Sequence, residues 1–185
     1  MVIVYNDDRA KRFRLAINAW GRRNVRSFPW RTTSNPYHLL LAEMMLRRTN
    51  AKQVSPVFVE TIRRFPDVDS LSRASAKHLR EVLRPLGLAW RAENIRRMAK
   101  VLSAEFNLRI PKTYDELRQL PGVGDYVASA VCSFAYNKPL PIIDSNTVRV
   151  VGRYFGFRTN PDSRRSRRLR GPSPRRSLGR TTNGC

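Results

Sequence analysis

The stretch Leu120–Ala128 reads LPGVGDYVA, two glycines flanking a valine directly after a proline. Before it stands TYDELRQL, in which Thr113 and Glu116 form the T-x-x-E pattern of a capping box. After it, DYVASAVCSFAY carries apolar residues at helical spacing. The spacing predicts a helix ending at Leu120, a Pro-Gly-Val-Gly turn, and a second helix from Asp125, a hairpin over about 113–136. Glycine reaches positive φ and admits a close neighbour. The N–H groups at Gly122, Val123 and Gly124, backed by the positive end of the second helix's dipole, form a seat for a phosphate oxygen. Such a device holds nucleic acid by its backbone and reads no sequence. The same pattern also serves as a plain corner between helices, so charge has to arbitrate.

The chain of 185 residues has a net charge of +22, which calls for a polyanionic partner, nucleic acid before anionic membrane. The segment 157–185 holds nine arginines and one aspartate, so +8 resides there and +14 on the body. The hairpin therefore sits in a basic body whatever the tail contributes. Hydrophobic residues make up 41% of the chain, enough for a sizeable core. The longest apolar run, Leu39–Leu46, is interrupted by Glu43 and is too short to cross a bilayer. The four apolar residues at the start are too few for a signal peptide. Two cysteines, Cys132 and Cys185, argue against a disulfide framework. The expectation is a soluble cytoplasmic protein of a bacterium or archaeon, associated with the nucleoid, monomeric and without a membrane partner.

Helical periodicity recurs up to Gly156: in KRFRLAINAW, PYHLLLAEMML, VSPVFVETIRRF, AKHLREVLRPLG, AENIRRMAKVLSAEF and SNTVRVVGRYF, besides the hairpin. Pro36, Pro66, Gly87, Pro111 and Pro139 punctuate the joints. No alternating run argues for a sheet, so the fold class is all-α. From residue 157 the periodicity stops, and an Arg-, Ser-, Pro- and Gly-rich stretch reads as a disordered basic tail. With 30 Arg against 6 Lys, out-of-frame reading of GC-rich DNA produces the same composition.

LPGVGDYVASAV followed by PIIDSNTVRVVGRYFG resembles the helix-hairpin-helix (HhH-GPD) DNA glycosylases, the superfamily of endonuclease III and the adenine mismatch glycosylases. FPWRTTSNPYHLLLAEMMLRRT and PLGLAWRAENI extend the resemblance over about 28–156, with the motifs in family order. The resemblance implies two helical lobes around a cleft that takes a flipped-out base from double-stranded DNA. Residues 28–138 form the hairpin lobe. The N-terminal helix (1–27) and the segment 139–156, a loop carrying Asp144 and the helix after it, belong to the second lobe.

Hydrolysis of an N-glycosidic bond places positive charge on the sugar and negative charge on the departing base. Asp144 lies eighteen residues after Tyr126, just before a helix, where the dipole favours its ionised form; plain N-capping accounts for an Asp there equally well. The resemblance makes it the carboxylate at the sugar. Tyr126 stands where the lyase branch has its nucleophilic lysine. A phenol forms no Schiff base, so a monofunctional glycosylase is expected, most like the branch acting on thymine or uracil opposite guanine. A tyrosine between two helices is otherwise simply core. Glu43 among leucines would be partly desolvated and raised in pKa, and it matches a glutamate that assists base departure in the adenine branch. An ion pair with Arg47 would act oppositely.

Leu88 aligns with an apolar wedge that fills the vacated stack. Arg47 and Arg48 align with residues entering the duplex near the widowed base, where arginine suits guanine O6 and N7. A core leucine and two solvated arginines are the ordinary readings. Most relatives complete the second lobe with four cysteines on a 4Fe-4S cluster. Cys132 and Cys185 cannot supply four ligands, so no cofactor is expected and the second lobe is incomplete. Two further readings stay open: an adenine glycosylase acting opposite guanine or 8-oxoguanine, and a truncated, non-catalytic DNA-binding protein.

Overall fold

A computed structural model describes residues 7–87 and 89–156. Among the described residues every regular element is a helix. The helices are α1 (Asp7–Asn24), α2 (Pro36–Leu46), α3 (Ala51–Arg64), α4 (Val68–Arg73), α5 (Ala76–Leu83), α6 (Ala89–Glu105), α7 (Tyr114–Gln119), α8 (Asp125–Tyr136) and α9 (Ser145–Phe155). Two single 3-10 turns, Pro29–Arg31 and Arg84–Leu86, complete the order. None of these helices is long and apolar enough to cross a membrane.

Backbone contacts divide the chain after Leu140. In the first unit α2 is the central element. Leu40, Leu41, Ala42, Met44 and Met45 are buried on it, so it is apolar nearly all round and packs against α3, α6 and α8. Asn35 opens it by accepting from the Tyr37 N–H at 2.9 Å, with Pro36 at the first helical position. α4 and α5 pack on α6, and α7 on α8. The resemblance implies a second-lobe place for residues 1–27; by its contacts α1 groups with the first unit, and its Leu15, Ile17 and Trp20 face solvent.

Side chains cap most of these helices. Asn50, Asp67, Ser75 and Thr113 each accept from a backbone N–H in the first turn of α3, α4, α5 and α7. The Thr113–Glu116 capping box is closed in both directions. α4 has no counterpart in the periodicity reading. It is six residues long and buries only Val68 and Leu71, but Asp67 and Ser70 form a capping box of their own.

In the second unit, Asp144 caps α9, whose last residue is followed by Gly156 in the left-handed conformation at φ 77°. Val150 is exposed on this helix. The tail from residue 157 lies outside the described residues.

Candidate nucleic-acid interface and active site

The hairpin forms as the sequence predicts, with one correction to the glycines. Gly122 has φ +81°, and a Cβ there would lie 3.0 Å from both Asn94 Cβ and Met44 Cε. The close neighbours are side chains of α6 and α2. Gly124 has φ −96°, and a Cβ there would meet nothing within 4 Å, so only one of the two glycines is required by conformation. The preceding helix also stops one residue early, at Gln119, with Leu120 as its C-cap.

Gly124 is the N-cap of α8 and provides no side-chain cap. This contrasts with the capped helices α2, α3, α4, α5 and α7. An α-helix leaves its first N–H groups without intrahelical acceptors, and no Gly124 side chain is there to take them at the start of α8. Val123 contributes backbone only. Its side chain is buried at 4% exposure, its N–H donates to the Leu120 carbonyl at 3.0 Å, and its carbonyl accepts from Arg118 Nη1 at 2.6 Å. Asp125 Oδ1 receives the Tyr114 hydroxyl at 2.9 Å and Arg118 Nε at 2.8 Å. Those two bonds pin α8 to α7 and pair the carboxylate in the first turn of α8 with a cation.

Arg47, the C-cap of α2, lies at the same turn. Its Nη1 donates to the Gly122 carbonyl at 2.9 Å, and its guanidinium lies 5.1 Å over the Trp90 ring. Arg48 is exposed and holds φ 56°, a left-handed conformation that a non-glycine residue rarely takes. Leu88 lies outside the described residues; Gly87 before it has φ +64° and α6 begins after it at Ala89.

A residue that sequence reasoning missed joins these segments. Arg91 is 1% exposed. Its Nη1 donates to the Leu86 carbonyl at 2.9 Å and more weakly to Gly87 at 3.4 Å. Its Nη2 reaches the Arg47 carbonyl at 2.5 Å and Thr49 Oγ1 at 2.8 Å. One guanidinium therefore ties the loop after α2 to the loop before α6. Burial, then the neighbouring Arg47 charge, pull its pKa down. A signal existed: Arg91 continues the buried stripe Ile95, Met98 and Leu102 at helical spacing.

Glu43 is buried on α2 at 6% exposure, as expected for a carboxylate among leucines. Tyr126 is half-buried in the first turn of α8 and packs on the hydrophobic core. Asp144 belongs to the second unit. Its Oδ1 accepts from the Thr147 N–H and hydroxyl, both at 2.7 Å, and its Oδ2 from Asn146 Nδ2 at 3.1 Å. Burial pulls its pKa up, but the bonds from Thr147 and Asn146 together outweigh it and hold the carboxyl below the usual range. The group is thus an N-cap and also a stabilised carboxylate.

The cysteines do not fit a four-cysteine cluster. Cys132 is wholly buried in the apolar face of α8, and Cys185 is the only other cysteine in the sequence. Among the described residues no group of His, Cys, Asp and Glu is placed to hold a metal ion.

The family model for HhH-GPD superfamily base excision DNA repair proteins matches residues 41–174, from the middle of α2 through the hairpin and α9. The chain belongs to that superfamily. A thymine-DNA glycosylase of Aeropyrum pernix is 39% identical over 135 residues, covering 72% of this chain and 60% of the relative. A thymine/uracil-DNA glycosylase of Pyrobaculum aerophilum is 39% identical over 150 residues, covering 80% of this chain and 65% of the relative. The chain thus spans about three fifths of the length of these two relatives. Among solved structures, a thermostable thymine-DNA glycosylase superposes with a TM-score of 0.82 at 29% identity, over 89% of this chain and 77% of that one. The all-α reading is that of the HhH-GPD fold.

Proposed function

We propose that this HhH-GPD protein is a monofunctional DNA glycosylase that removes thymine or uracil mispaired with guanine from double-stranded DNA. The observation that carries the reading is Tyr126 in the first turn of α8, where the lyase branch needs an amine. A phenol cannot form the imine that strand cleavage requires. The likeness to glycosylases named for thymine and uracil supports the choice of base.

In this reading the uncapped start of α8 and the backbone N–H groups of Gly122 and Gly124 hold a phosphate, the Val123 N–H being taken by the Leu120 carbonyl. Asp144, kept ionised by Thr147 and Asn146, stabilises positive charge as the bond from C1′ to the base nitrogen breaks. Water adds its hydroxyl to C1′, and its proton balances the departing base. Tyr126 shapes the pocket, and Glu43 contacts the base. Arg47 and Arg48 face the orphaned guanine, and Leu88 fills the stack. The protein acts as a monomer near the chromosome.

End-labelled duplexes carrying T·G, U·G, A·G and A·8-oxoguanine, each read with and without hot alkali, test this. Breaks at T or U only after alkali are the expected result. Breaks at A would move the protein to the adenine branch, breaks without alkali would refute the monofunctional reading, and tight binding with no breaks would leave a non-catalytic DNA-binding protein.

A further inference from the structure

Most arginines on the outer faces of α3, α4 and α6 are neutralised within their own helix. Arg63 and Arg64 bond Glu60, Arg73 bonds Asp69, and Arg96 and Arg97 bond Glu93. α5 differs. Lys77 and Arg80 on α5 and Arg84 just after it recur at i, i+3 and i+7 and are exposed, and none of them enters an ion pair among the described residues. Glu81 stands within that stripe, four residues after Lys77 and three before Arg84, yet pairs with neither in this structure. The three cations border a groove of about 440 Å³ whose floor includes Ala92 and Gly87. It is an open trough with apolar walls of Leu83, Ala89 and Ala92 and a rim carrying three cations and one carboxylate.

The trough is tied to the hairpin turn through bonds already described. Gly87 on its floor accepts from Arg91, Arg91 reaches the Arg47 carbonyl, and Arg47 reaches Gly122. These bonds hold the groove in fixed relation to the 122–124 turn. Phosphates repeat along a strand with their charge unpaired, as do Lys77, Arg80 and Arg84.

We infer that the α5 groove bordered by Lys77, Arg80 and Arg84 is a second DNA-backbone site that binds phosphates beyond those held by the hairpin. It rests on the DNA-binding part of the reading above and adds affinity and salt sensitivity rather than chemistry. Glu81 limits the local charge and keeps the grip reversible, letting the protein slide off undamaged sequence.

The full-length chain is titrated onto a fluorescein-labelled T·G duplex by anisotropy over a range of salt concentrations. Each phosphate contact contributes about 0.9 to the slope of log K against log salt. Replacing all three residues (Lys77→Ala, Arg80→Ala, Arg84→Ala) should flatten the slope by about two to three. The single-turnover rate of base release at saturating enzyme should be unchanged. A control triple, Arg63→Ala, Arg73→Ala and Arg97→Ala, removes the same charge from paired arginines and should move the slope far less. A groove variant with the wild-type slope overturns the inference, as does a control that flattens it equally. Glu81→Gln keeps the test open should the triple variant unfold: it should tighten binding severalfold at low salt, and unchanged binding overturns the inference. If wild type binds but releases no base, the enzymatic reading fails while the slopes still decide this one.

Discussion

Arg47 donates to the carbonyl of Gly122 across 75 positions of sequence. The bond joins the end of the central helix to the turn that starts α8. The same guanidinium lies over Trp90, so the start of α6 is drawn into the contact. Arg47→Ala removes a charge-assisted bond and a cation–π contact at an exposed site. The expected loss is about 1–2 kcal/mol in urea unfolding. Lysine, with no planar fork to span carbonyl and ring, should restore less than half of it.

The two glycines of the turn should respond unequally. Gly122→Ala places a Cβ at 3.0 Å from Asn94 and Met44 at a positive φ, and should cost roughly 2–4 kcal/mol. Gly124→Ala meets open space at ordinary φ and should cost under about 1 kcal/mol. Denaturant midpoints of the two variants check this, and equal losses would contradict the turn geometry.

Removing the buried guanidinium should loosen two loops together. Arg91→Met leaves the carbonyls of Arg47 and Leu86 and the Thr49 hydroxyl without their donor, while relieving the cost of a buried charge. The balance is a destabilisation of roughly 2–4 kcal/mol. Hydrogen exchange should rise in both 47–50 and 84–87, whereas a purely local effect would touch one loop.

Asp144 yields a pH prediction. Its folded pKa is depressed, so its contribution to stability is complete above the unfolded value of 3.8 and is lost as pH falls through the lower folded value. Stability from this group should therefore be flat at neutral pH and decline only below about 4. Asp144→Asn can still cap α9, so its stability should fall by less than about 1 kcal/mol, while base release is abolished. Single-turnover assays beside thermal melts separate the two roles. An Asn variant that releases base at the wild-type rate would remove Asp144 from the chemistry.

Where local rules dominate, the sequence was readable. α2, α8 and α9 run where the apolar spacing places them, because Asn35–Pro36, Gly124 and Asp144 mark their starts in residue types that fit few other roles. α4 went unread because six residues with two apolar positions carry no period, and its start signal used Ser70 where the familiar box has a glutamate. Arg91 went unread because an arginine is solvated by default, and its burial depends on two loops distant in sequence closing over it. Val123 shows the converse. Its part in the turn is a backbone matter, and its side chain serves the core. The candidate residues of α8 and α2 could be picked out from pattern and resemblance, but the bond from Arg47 to the turn and those from Arg91 to the two loops could not.

Cys132 is fully buried in α8, and burial pushes its thiol up in pKa. A thiolate-seeking reagent can therefore reach it only when α8 leaves the core. In a Cys185→Ser background, the pace of alkylation becomes a clock for the opening of the hairpin lobe, readable by mass alone. Bound duplex should slow that clock in proportion to its occupancy. The molecule thus contains its own gauge of how often α8 leaves the core, with no fluorophore and no turnover required.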